Sequence, residues 1–104
     1  MQFERHYELD DTEVLHRLQA LTDYWQAKHG IVGIWTGRSL LLKGRKMGVK
    51  YNARVTVGGG TIVAEVEAGF LAEKLGAPAY VERKVDDYLD PSNTLRSLQD
   101  RVPR

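Results

Sequence analysis

The 104-residue chain contains no cysteine, which excludes a disulfide framework, a thiol nucleophile and a thiolate zinc site together. Its opening residues, MQFERHYELDD, are polar and charged with no apolar signal core, and no apolar run approaches membrane-spanning length. Internal repeats and low-complexity linkers are also missing. A cytoplasmic protein of one domain is the expectation. The apolar content of 42% and the charged content of 28% are those of an ordinary globular chain with a modest core.

Acidic residues are absent from one long stretch. Residues 24–64 hold seven bases (Lys28, Arg38, Lys43, Arg45, Lys46, Lys50 and Arg54) and no acid. The flanks are acidic: six acids and two bases in residues 1–23, eight acids and six bases in residues 65–104. The overall net charge of +1 therefore hides a basic middle third. Hairpin pairing against the acids of the last third would neutralise it. Left unneutralised, it is a surface for an anionic partner.

The most regular stretch is residues 49–68. Val49, Tyr51, Ala53, Val55 and Val57 alternate with polar residues, and Ile62, Ala64 and Val66 resume the alternation after Gly58-Gly59-Gly60. A Gly58-Gly59 turn predicts a hairpin with Val55 opposite Ile62, Ala53 opposite Ala64, Tyr51 opposite Val66 and Lys50 opposite Glu67. Upstream, residues 31–36 and 39–43 read as strands around Gly37-Arg38, with Trp35 opposite Leu40 and Gly33 opposite Leu42. Ile34 and Leu41 then share the other face, either under a further element or as an exposed apolar patch. Residues 44–48 read as a turn, and residues 2–9 as a short first strand.

Two helices complete the pattern. Val14, Leu15, Leu18, Leu21 and Trp25 form one stripe of a helix over 11–29, with Arg17 toward solvent, Asp10 and Glu13 as a capping box and Gly30 as the stop. Residues 70–75 read as an apolar turn or short helix. Pro78 opens a second long helix whose stripe is Val81, Val85 and Leu89, ending before Pro91. Residues 91–104 read as a C-terminal tail outside the 1–90 domain, either frayed or with one or two helical turns. The fold class is α+β in two layers. An antiparallel sheet of four to five strands, in the order β-α-β-β-β-β-α, is covered on one face by two amphipathic helices.

No catalytic motif is present. The serines stand in no GxSxG elbow, the glycine run lacks the Lys-Ser/Thr of a phosphate loop, and the three histidines match no zinc spacing. No cofactor is implied. His6 is the histidine to watch, with structural hydrogen bonding favoured over a functional role. Arg38, Lys43, Arg45, Lys46, Lys50 and Arg54 are the candidate binding residues, expected as one ridge on the outer sheet face and the 44–48 turn. Trp35 and Tyr51 fall on the core-facing side, which removes a stacking platform for nucleic-acid bases.

With these elements placed, the chain resembles the polyhydroxyalkanoic acid system family, small bacterial proteins encoded near polyester-storage genes. The landmarks are Arg5-His6 with Leu9 before the first helix, the glycine that closes it, Gly48-Val49, Ala68-Gly69-Phe70-Leu71, and Val81, Val85 and Leu89-Asp90. The resemblance implies association with polyhydroxyalkanoate granules or a granule-associated protein, and carries over no catalytic residue. The reading is a non-catalytic accessory or binding protein, with a homodimer left open. The alternatives are a nucleic-acid-binding module, or a small apolar-ligand binder with a cavity near Trp25, Trp35 and Tyr51.

Overall fold

The structure is a computed structural model that describes residues 2–46, 49–68 and 76–103, with the side chains of residues 45, 46, 49, 51, 68, 77 and 78 excepted. Strand β1 (Gln2–His6) precedes helix α1 (Asp11–His29). Strands β2 (Val32–Thr36), β3 (Ser39–Lys46), β4 (Val49–Gly58) and β5 (Thr61–Ala68) then follow as a meander. Helices α2 (Ala77–Leu89) and α3 (Leu95–Gln99) close the chain. The five strands form one antiparallel sheet in the order β1-β5-β4-β3-β2. β1 therefore returns to pair with β5, and the two edges are β1 and β2. This is the expected α+β architecture, with the apolar 70–75 segment lying outside the described residues.

The inner face of the sheet follows from the alternation. Phe3, Leu40, Leu42, Val55, Val57, Ile62, Ala64 and Val66 are buried against Val14, Leu18, Leu21 and Trp25 of α1 and Val85 and Tyr88 of α2. Burying an aliphatic side chain of this size contributes about 1.5–3 kcal/mol relative to leaving it in water. The β2–β3 register is the expected one, with Trp35 opposite Leu40 and Gly33 opposite Leu42.

The central hairpin differs from expectation by two residues. Its loop is Gly59-Gly60, with φ of +61° and +77°, and Gly58 pairs with Thr61. Val57 therefore faces Ile62, Val55 faces Ala64, Ala53 faces Val66, and Arg54 rather than Lys50 stands opposite an acid, Glu65. Every residue keeps its face, because a shift of two preserves the pleat. The physical reason for the choice is tertiary. The amide of Tyr7, just past β1, donates to the carbonyl of Gly60 at 3.0 Å, and the Asp11 carboxylate engages the amides of Gly59 and Gly60. β3 continues through Gly44, Arg45 and Lys46, so these three belong to the strand rather than to the expected 44–48 turn, whose residues 47 and 48 lie outside the described residues.

Helix α1 has the expected bounds, and Gly30 at φ +68° closes it, its amide donating to the Gln26 carbonyl at 3.0 Å. Its start differs: the Asp10 side chain makes no capping hydrogen bond, so the anticipated capping box does not form. Arg17 also departs from its solvent assignment. It is 3% exposed, and its guanidinium donates to the carbonyls of Tyr88 at 3.0 Å and Asp90 at 3.2 Å and to Glu13 at 3.4 Å. A buried cation is tolerated there because it satisfies carbonyls that the end of α2 leaves without intrahelical donors.

The stretch after Pro91 is packed rather than frayed. Thr94 caps α3, accepting from the Ser97 amide, and Leu98 is 0% exposed. Asn93 donates to the Asp87 carbonyl and carboxylate at 3.0 and 3.1 Å, and Arg101 reaches Asp87 at 2.6 Å over the Tyr88 ring. The tail thus extends the helical layer beyond residue 90.

Candidate binding surface

One residue step along each strand gives the other face of the sheet. Read across the strands, its rows are Gln2, Glu65, Arg54, Leu41 and Ile34, then Glu4, Val63, Thr56, Ser39 and Thr36. A third runs Glu67, Asn52, Lys43 and Val32. Gln2, Glu4, Asn52, Arg54, Thr56, Lys43, Glu65 and Glu67 are exposed on it, so the helices leave this face open. The charge is graded: acids on β1 and β5, cations on β4 and β3, and apolar side chains on β2. Among the described residues Val32 and Ile34 are the large exposed hydrophobic ones, at 50% and 51%, with Leu41 half-buried beside Ile34.

The expected six-residue ridge divides. Lys43, Lys50 and Arg54 are exposed strand residues of this outer face. Arg45 pairs with Lys50 across β3 and β4, and Lys46 pairs with Val49, while the side chains of Arg45 and Lys46 lie outside the described residues. Arg38 does not join them. It sits at the other end of β3, in the loop after β2, where its guanidinium lies 3.3 Å from Asp11 and packs against Gly58. Two turns of the sheet that sequence reading merged are thus separated by the length of β3.

Among the described residues the ion pairs are Arg5 with Glu82 and Asp86, Arg17 with Glu13, Arg38 with Asp11, and Arg101 with Asp87. None involves Lys43, Lys50 or Arg54. Register opposite Glu65 does not bring Arg54 within ion-pair distance, so hairpin pairing leaves these cations available to screened, longer-range attraction.

Sequence reasoning missed a polar cluster at the end of the sheet near Arg38. The Tyr7 hydroxyl donates to one oxygen of Asp11 at 2.5 Å and Arg38 donates to the other at 3.3 Å. The Tyr7 hydroxyl, desolvated by burial and then held by Asp11, is pushed up to about 12. Asp11 is held below the usual carboxylate value, first by the Tyr7 hydroxyl and further by the hairpin amides and Arg38. The cluster ties the start of α1 to two loops, and every Asp11 partner named here comes from the chain itself. No local pattern announces it, because its members lie in three separate segments.

The remaining candidates have structural surroundings. His6 is exposed at the β1 edge, its Nδ1 3.1 Å from the Thr61 hydroxyl on β5. Among the described residues no three His, Asp or Glu side chains are grouped to hold a metal ion. Trp35 lies on the inner side, half-buried, with Nε1 lacking a hydrogen-bond partner among the described residues. Trp25 is buried and donates from its indole to the Tyr80 hydroxyl at 3.3 Å, so its ring belongs to the packed layer. Tyr51 stands on β4, its side chain outside the described residues. Among the described residues no helix is long and apolar enough to cross a membrane. Comparison with protein-family models, curated protein sequences and solved structures finds no match to this chain.

Proposed function

We propose that the protein is a non-catalytic accessory protein that binds an anionic, apolar-cored surface through the open face of its sheet. The polyester storage granule is the surface suggested by the family resemblance. One observation carries this reading: Lys43 stands directly across the ladder from exposed Val32, and Arg54 stands across from Leu41, which is paired with exposed Ile34; Lys50 shares the face, and none of the three cations has an ion pair among the described residues. Clustered cations attract an anionic coat over about a Debye length, ~8–10 Å at physiological salt, and adjacent aliphatic side chains supply contact once it is reached. A sheet face spanning five strands suits an extended surface better than a small ligand. With Trp35 on the inner side, the face also lacks that ring as a platform on which bases could stack.

The test is co-sedimentation of the purified protein with polyester granules across a salt series, with polynucleotide as competitor. Wild type is expected to sediment at low salt, to be released as salt rises, and to resist polynucleotide. Lys43→Glu/Arg54→Glu is expected to stay in the supernatant. Displacement by polynucleotide would transfer the face to nucleic acid, and absence of binding at every salt would remove the granule reading.

A further inference from the structure

We infer that β2 is a self-association edge, through which two copies of this chain join their sheets antiparallel about Ile34. β2 is paired on one side only, by β3, so alternate backbone groups along its other side have no strand partner among the described residues. An edge of this kind is ordinarily protected by charge, proline, a bulge or a covering element. Its sequence, VGIWT, has no charged residue and no proline, and its ladder with β3 runs residue for residue from Val32 to Thr36 without a bulge. Among the described residues the opposite edge shows a charge protection that β2 does not have. β1 reads QFERH, carries Glu4 and His6 on its outer side, and turns Arg5 inward to Glu82 and Asp86 at 3.4 and 2.8 Å.

A second copy is the occupant because the strand is complementary to itself. Antiparallel pairing about Ile34 sets Val32 opposite Thr36 of the second copy, Gly33 opposite Trp35, and Ile34 opposite Ile34. Outer residues then meet outer residues, so Val32, Ile34 and Leu41 of both copies form one continuous apolar strip. Both helical layers lie on the same side of a ten-stranded sheet. A register displaced by one residue would set Ile34 beside Gly33 or Trp35 and split that strip between opposite faces. The two-fold arrangement is closed, giving a dimer rather than a fibre. A five-residue seam is small beside the ~1,200–2,000 Å² of stable interfaces, so the dimer is reversible and concentration-dependent. This inference stands independently of what the open face binds.

Sedimentation velocity over roughly a hundredfold range of protein concentration tests it. Wild type is expected to shift from monomer toward dimer. Ile34→Lys, which adds an edge lysine at an exposed position, is expected to weaken dimerisation by at least about tenfold with an unchanged circular dichroism spectrum. Gln2→Lys, the same charge change on the other edge, is expected to dimerise as wild type does. Amide hydrogen exchange on the wild type supplies a readout free of folding defects: Val32–Thr36 should slow as concentration rises, while Gln2–His6 should not. A monomer at all concentrations would overturn the inference. So would equal loss in both variants, or a dimer whose β2 amides exchange unchanged.

Discussion

The two faces of the sheet are built from the same strands and differ in everything else. On β5, Ile62, Ala64 and Val66 are buried under the helices, while Val63 between them is half-buried and Glu65 is exposed. On β4, Val55 and Val57 are buried, while Arg54 and Thr56 are exposed. The inner face explains why the chain folds; the outer face is not needed for that, and its cations stand without ion pairs among the described residues. Its cations collect on β3 and β4, between the acids of β1 and β5 and the exposed aliphatics of β2. The lesson is that the buried, fold-forming residues and the exposed ones here are separated by a single residue step.

That separation predicts a hierarchy of effects. The largest belongs to the inner face: Ile62→Ala should lower unfolding free energy by about 2–4 kcal/mol in denaturant titration, whereas Val63→Ala next to it should cost well under half of that. Comparable losses at both positions would break the contrast.

Next comes Arg17, the cation inside the helical layer. Arg17→Met keeps the stem but removes donors from the Tyr88 and Asp90 carbonyls, and should cost about 1–3 kcal/mol, measured the same way. A neutral outcome would mean that the end of α2 finds other donors.

The Tyr7–Asp11–Arg38 cluster adds a pH dependence. Asp11 has a lowered folded value, so its contribution is present above the unfolded carboxylate value and is lost as pH falls through the folded one. Tyr7 has a raised value, so its contribution is complete below about 10 and disappears as pH rises toward about 12. Thermal unfolding followed against pH should show both limbs; Asp11→Asn should flatten the acid limb, and Tyr7→Phe the alkaline one.

Smallest of all should be the stability change in Lys43→Gln/Arg54→Gln, within about 0.5 kcal/mol by denaturant titration, because both side chains are exposed, make no ion pair among the described residues, and the neutral replacement sets no like charge opposite Glu65. A large loss would mean that these cations serve the fold.

Much of the fold was legible because period-two alternation assigns a face without knowing the partner. The α1 bounds and the Trp35–Leu40 pairing followed from local signals alone. What was not legible depends on contacts distant in sequence. Three adjacent glycines accept positive φ equally well, so only Tyr7 and Asp11, reaching across from β1 and α1, select Gly59-Gly60 as the loop. Arg17 carried a signal that residue type concealed: it lies three positions after Val14 and four before Leu21, on the buried stripe. The tail offered few apolar residues, and Leu98 packs because α1 supplies the surface for it. For the candidate surface, alternation correctly kept Trp35 inward, but the basic block could not be resolved into a sheet face and a separate loop. Arg38 was assigned by proximity in sequence, whereas Asp11 claims it in space.

The measurement that bears most directly on the open face is a lysine acetylation footprint of granule-bound protein, read by mass spectrometry. Lys43 and Lys50 lie on the outer face, while Lys28 and Lys84 sit on helices α1 and α2. Binding through the open face predicts that Lys43 and Lys50 lose reactivity on granules while Lys28 and Lys84 keep theirs. Protection of the helical lysines with Lys43 and Lys50 still reactive would contradict it.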